Sequence, residues 1–203
     1  MTLELYKASI KRWPQTGSVI LAAQTEKSIT VYQAYRPAIA NYAVANQCFG
    51  GEYSFSRMSW IKPNFLWMMY RSGWATKEGQ EKVLAITIAK QNFDEILSKA
   101  VHSSFNATIY GDIETWKQRI ESSDVRLQWD PDHDPYGKAL ERRAIQLGLR
   151  GSILKKFATD WIESIEDVTD FVTAQNQFVL ANDLDKLQVP YETIYAIPQN
   201  VHL

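Results

Sequence analysis

Hydrophobic and polar positions change period several times along this chain, and each change marks an element. Residues 18–25 and 28–35 read as two short strands around the polar turn at Glu26 and Lys27. In the second, alternation places Tyr32 and Ala34 on one face and Gln33 and Tyr35 on the other. Pro37 suits the first turn of a helix through Ala40, Tyr42, Ala43 and Ala45 that ends near Gly50 and Gly51. Residues 54–61 read as extended. Pro63 then opens a helix carrying Phe65, Leu66, Met68 and Met69, and Gly73 stops it. Val83, Leu84, Ile86 and Ile88 make residues 82–90 a buried strand, after which Asn92 caps a helix with Phe93, Ile96, Leu97 and Ala100 at helical spacing.

Residues 124–130 and 142–149 read as strands joined by the turn-rich segment 130–137. Beyond Gly151 the pattern is helical, with Ile153, Leu154, Phe157, Trp161 and Ile162 on one face, and a further helix spans residues 168–180. Adjacent strands with intervening and trailing helices predict an α+β fold with a helical carboxy-terminal part. No repeat, long polar linker or compositional break divides the chain, so residues 1–203 read as a single globular domain.

Composition sharpens this picture by exclusion. At 203 residues, 45% apolar and 22% charged, the chain has material for a core and is neither disordered nor disulfide-stapled. No apolar run approaches the ~18 residues of a membrane span, so no membrane partner is expected. The amino terminus lacks the basic start and apolar stretch of a signal peptide. The lone Cys48 cannot form an internal disulfide, and the expected compartment is cytoplasmic.

The formal net charge of −1 conceals an asymmetry. Between positions 27 and 77, Lys27, Arg36, Arg57, Lys62, Arg71 and Lys77 face Glu52 alone, whereas from 152 to 192 three bases face eight acids. The first region points to an anionic ligand. The second would suit a protein-interaction domain docking a basic partner, and scattered surface charges that cancel locally would account for both.

The densest candidate stretch is SRMSWIKPNFLWMMYRSGW at residues 56–74, where Trp60, Phe65, Trp67, Tyr70 and Trp74 interleave with Arg57, Lys62 and Arg71 without a carboxylate. Such rings either stack on a base or fill a core, and such cations either hold phosphate or snorkel at a core's edge. A nucleotide or a nucleic-acid strand fits the first pair of readings. Tyr35 and Arg36 end a strand at a helix start, where a guanidinium and free N–H groups suit a phosphate or simply face solvent. In QWDPDHDPYG, Asp130 is a candidate catalytic or ribose-binding carboxylate, with Gln128 on the same strand face. Asp130, Asp132, His133 and Asp134 lack the spacing of a calcium loop, and a turn is the favoured reading, so no metal site is assigned. In RRAIQLGLRG, small residues flanking Gln146 leave room either for a ligand or for a close-packed helix. Phosphate-loop, zinc and hydrolase-elbow motifs are absent, and His102, His133 and His202 are too scattered for a triad.

In order along the chain, VYQAYRPAIA, RMSWIKPNFLWMMYRSGW with TKEGQEKVLAI, VRLQWDP, and RRAIQLGLRG with WIESIEDVT resemble the domain-of-unknown-function family 4291 of bacteria and fungi, over residues 29–169. A further resemblance is to ADP-ribosyltransferases. It implies a mixed, largely antiparallel split sheet with flanking helices, and NAD as cofactor. It also implies three strand-borne elements: Tyr35-Arg36 at one strand's end, Ser59 on a second, and Asp130, in place of the usual Glu, on a third. On that resemblance Asp130, Ser59 and Tyr35 are catalytic candidates. Arg36 or Arg57 would hold the diphosphate, Trp60 or Tyr32 would stack on nicotinamide, and Lys62, Arg71 and Gln128 would complete the cofactor site. The expected reaction is glycosyl transfer from NAD, with nucleic acid as a candidate acceptor. A non-catalytic module binding single-stranded nucleic acid or nucleotide is the principal alternative.

Overall fold

The computed structural model describes residues 1–199 and 201; His202 lies outside the described residues. The chain runs β1 (Leu3–Leu5), α1 (Tyr6–Arg12), β2 (Leu21–Ala22), β3 (Ser28–Tyr35), α2 (Pro37–Asn46), β4 (Ser59–Ile61) and α3 (Phe65–Ser72). It continues through β5 (Lys82–Ala89), α4 (Lys90–Ser98), β6 (Ala100–His102), α5 (Ala107–Tyr110), α6 (Ile113–Ser122), β7 (Val125–His133) and β8 (Ala139–Leu149). The last part comprises α7 (Gly151–Thr159), β9 (Ile162–Asp167), α8 (Thr169–Leu180), β10 (Gln188–Pro190) and β11 (Thr193–Ile194). No helix among the described residues is long and apolar enough to cross a membrane.

Two sheets form an α+β fold. Antiparallel β3-β5-β9 makes one; β4-β8-β7-β6 makes the other, antiparallel except for the parallel pair β6–β7. They meet where Tyr32 of β3 exchanges both backbone hydrogen bonds with Lys62, one residue beyond β4. Two short pairs, β1–β10 and β2–β11, close the periphery.

The two sheets are buried differently, and this sets where polar chemistry can sit. The three-stranded sheet is covered on both faces. Ile29, Val31, Leu84, Ile86 and Ile88 join the core shared with α2, α4 and α7, while Tyr32, Val83 and Ala85 pack with α1, α3 and α8. The four-stranded sheet gives only one face to the first core, through Ile61, Val125, Leu127, Ile145, Leu147 and Leu149. Its alternate positions, Trp60, Gln128, Asp130, Gln146 and Gly148, face away from that core.

Helix α3 packs on both β3 and β7, so it lies across the junction. Asn64 begins it by accepting from the Trp67 N–H at 2.7 Å, and Gly73 ends it in the left-handed region at φ +58°.

Several boundaries differ from the sequence expectation. Only Ser59–Ile61 of the extended 54–61 segment pairs in a sheet. Helix α4 begins directly from β5 with Ala89 at its cap, so Asn92 lies inside it. Strand β7 runs on through Pro131 to His133 across a register shift, and the turn contracts to Asp134 through Lys138. Trp161 and Ile162 do not continue α7, because Ile162–Asp167 pairs with β5. The carboxy-terminal part is therefore mixed, with three strands beside its two helices.

Candidate cationic cleft at the sheet junction

At the junction the residues of β3, β4 and α3 surround a cavity of about 560 Å³. Four of its lining side chains are cations, Arg36, Arg57, Lys62 and Arg71, against the single acid Glu52. A larger concavity of about 740 Å³ beside Tyr70 and Tyr136 has no charged lining residue. One of about 270 Å³ beside Met1 has Glu166 as its only charged side chain. Charge therefore singles out the junction.

Each element brings its group there for a local reason. Strand alternation turns Gln33 and Tyr35 to the same side of β3, toward β4. Gln33 Nε2 donates to Ser59 Oγ at 2.7 Å and to the Trp60 carbonyl at 3.2 Å. The Tyr35 hydroxyl lies 2.8 Å from the same Ser59 Oγ. Burial pushes the Tyr35 phenol well above its ordinary value, and the Tyr53 phenol upward as well. Gln33 Oε1 is buried and lacks a hydrogen-bond partner among the described residues. A satisfied core leaves few such atoms, so the wall has unused hydrogen-bonding capacity.

The cations are unequally engaged. Arg36 pairs with Glu52 at 2.6 Å, an exposed contact of small energetic weight. The side chains of Arg57, Lys62 and Arg71 have no hydrogen-bond or ion-pair partner among the described residues. Lys62 is only 4% exposed. Burial first, and the neighbouring Arg71 second, lower it to about 7, with Asp130 opposing.

Trp60 is seated by an absence. A Cβ at Gly148, its partner on β8, would lie 2.6 Å from Met58 Sδ and 3.0 Å from the Trp60 ring. The space that the glycine leaves is thus filled by Met58 and Trp60, and it is not a ligand approach to the β8 backbone.

Seven of the ten sequence-predicted residues line this cavity: Tyr35, Arg36, Arg57, Ser59, Trp60, Lys62 and Arg71. Gln128 and Asp130 do not line it. They sit on β7, two strand spacings or about 10 Å across the same sheet face from β4. There Gln128 and Gln146 donate to the two Asp130 carboxylate oxygens at 2.9 and 2.8 Å. Tyr32 is not at the cavity at all: it is wholly buried, edge-on to Phe65 in the second core, so no face is free to stack on a ligand.

Of the other rings in the rich segment, Phe65 and Trp74 are core, and Trp67 stacks with Tyr70 and His133. Gln33, Glu52 and Tyr53 were not singled out as site residues. Gln33 had a signal, a polar side chain on the strand face of Tyr35; Tyr53, in an irregular loop, had none.

The acidic turn does not assemble a metal site. Asp132 is buried against Arg142, His133 stacks on Tyr70 at 3.5 Å, and Asp134 accepts from the Tyr136 and Lys138 N–H groups. Among the described residues no group of three His, Cys, Asp or Glu side chains is placed to hold a metal ion.

Two sheets joined at a backbone bridge, with a cationic, hydroxyl-bearing cleft at the seam, define the class: a split-sheet α+β protein. The family model for a domain of unknown function (DUF4291) matches residues 19–195, and the chain belongs to that family. No curated protein matches it.

Proposed function

We propose that the junction cleft binds NAD and that the protein transfers the ADP-ribosyl group to an acceptor. The observation that carries this reading is the cationic cleft at the seam, lined by Tyr35-Arg36 ending β3, Ser59 on β4 and Arg57, with Asp130 about 10 Å away on the sheet face that Trp60 shares. Arg57 and Arg36, with Lys62 and Arg71 deeper in the same cleft, would hold the diphosphate, and Trp60 would lie against the nicotinamide.

In the reaction the C1′–N bond breaks and its electron pair leaves with neutral nicotinamide. The ribose carbon gains positive charge; NAD laid from the cleft over Trp60 would bring that carbon toward the Asp130 carboxylate, which is fixed by its two glutamines and would stabilise the charge. The acceptor's lone pair then forms the new bond to C1′, and its proton passes to solvent.

The test is nicotinamide release from NAD by the purified protein, with Asp130→Ala as the control. Loss of turnover by about 10²-fold or more, with the melting temperature kept, is expected. Should NAD neither raise the melting temperature nor be consumed, the reading fails. Salt-dependent binding of single strands without NAD consumption would replace it with the nucleic-acid-binding alternative.

A further inference from the structure

Lys62 is held by its backbone at the bridge between the two sheets. Its N–H donates to the Tyr32 carbonyl at 3.2 Å, and its carbonyl accepts from the Tyr32 N–H at 2.7 Å. The residue is 4% exposed, and its side chain lines the cavity together with Met68 and Arg71 of α3. The ammonium opens only onto the cavity and makes no ion pair among the described residues, and burial of the residue around it disfavours the charged form. Burial and Arg71 bring Lys62 to about 7.

The charged and titratable groups around it offer no internal remedy. Arg71 on α3 repels the ammonium. Asp130 on β7 attracts it, but both its oxygens already accept from glutamines. Across the cavity Arg57 adds positive charge, Arg36 is matched to Glu52, and the Tyr35 and Tyr53 phenols are pushed upward and stay neutral. What is lacking is an anion.

The geometry points to Lys62 and Arg71 as a phosphoryl-binding subsite that takes up a proton on Lys62 as the anion enters. The ligand class is a diphosphate or phosphodiester group, acceptor-only oxygens that suit an ammonium beside a guanidinium. The inference rests on the cleft of the proposed function but not on glycosidic cleavage.

The experiment is calorimetric titration of the full chain with ADP-ribose, whose bridging diphosphate has no second ionisation in the neutral range. Buffers of different ionisation enthalpy report protons exchanged. At about pH 8 the wild type should take up close to one proton per ligand, and its affinity should fall about tenfold per pH unit above about pH 7. Lys62→Arg, permanently charged, should bind without proton uptake. Lys62→Met should bind at least about tenfold more weakly at about pH 6.

Uptake that persists in Lys62→Arg, or wild-type affinity in Lys62→Met, overturns the subsite. So does a wild type that binds neither ADP-ribose nor sulfate. Lys62-linked uptake without NAD turnover keeps the subsite and sinks the transferase reading; turnover without that uptake does the reverse.

Discussion

Folding moves Lys62 from an ordinary 10.5 to about 7, and that displacement is also a statement about stability. Between those values the unfolded chain holds a proton that the folded chain does not. Stability from this group therefore rises with pH through the window, by up to about 1.4 kcal/mol per pH unit. Lys62→Met abolishes the dependence. In urea unfolding across a pH series, the variant's advantage should be greatest at about pH 7 and below and shrink toward about pH 10. A pH-independent difference would show that the folded lysine titrates normally. In the sequence Lys62 is legible only as a cation between a strand and a proline. Its burial accompanies the long-range pairing of Tyr32 with Lys62 that joins the sheets, which no local pattern records. The fate of Tyr32 is the converse. Alternation separates it correctly from Gln33 and Tyr35, yet which face meets the cleft depends on where the second sheet joins.

Elements that obey one period were legible, and those shaped by neighbours were not. Strands β3 and β5 carry near-continuous apolar positions because helices cover both faces, while α3 is bracketed by Asn64 and Gly73. Strand β9 was hidden because Ile162 follows α7 at helical spacing and Glu163, Glu166 and Asp167 dilute its alternation. Those acids suit its position at the edge of the sheet, where charge discourages further pairing. Pairing of β4 with β8 makes a sharper claim about Gly148. An alanine there would force both Met58 and Trp60 to move, since its Cβ would fall 2.6 Å from Met58 Sδ. Gly148→Ala should cost about 1–3 kcal/mol in chemical unfolding. It should also weaken ADP-ribose binding by displacing the cleft's half-buried indole. Unchanged affinity would remove Trp60 from the ligand site.

At the scale of the whole molecule the charge asymmetry acquires a structural meaning. Four of the six bases between positions 27 and 77 line one cavity, although they arise from β3's end, a loop, the seam and α3. The acidic segment is partly consumed internally: Asp167 pairs with Lys82, Asp185 with Lys7, and Glu192 is buried at the start of α3. Glu192 ties the end of the fold to the cleft. Its carboxylate accepts from the Phe65 N–H at 2.6 Å and from the Asn64 amide at 3.3 Å, while its carbonyl accepts from Trp13. Burial raises this carboxyl well above the ordinary range, against the pull of the Phe65 N–H.

A carboxyl raised on folding contributes stability that is present below its unfolded value and lost as pH rises through the folded one. Glu192→Gln keeps an acceptor for Phe65 without the buried charge. It should therefore gain on the wild type in thermal unfolding as pH rises from about 4.5, and match it below. Glu192→Ala, by contrast, strands the Phe65 N–H and the Asn64 amide in the core, at about 1–3 kcal/mol. Because Arg71 rides on the same helix, the alanine variant should also bind ADP-ribose more weakly while the glutamine variant binds normally. Equal binding by both would mean that the cleft is positioned without its carboxy-terminal clasp.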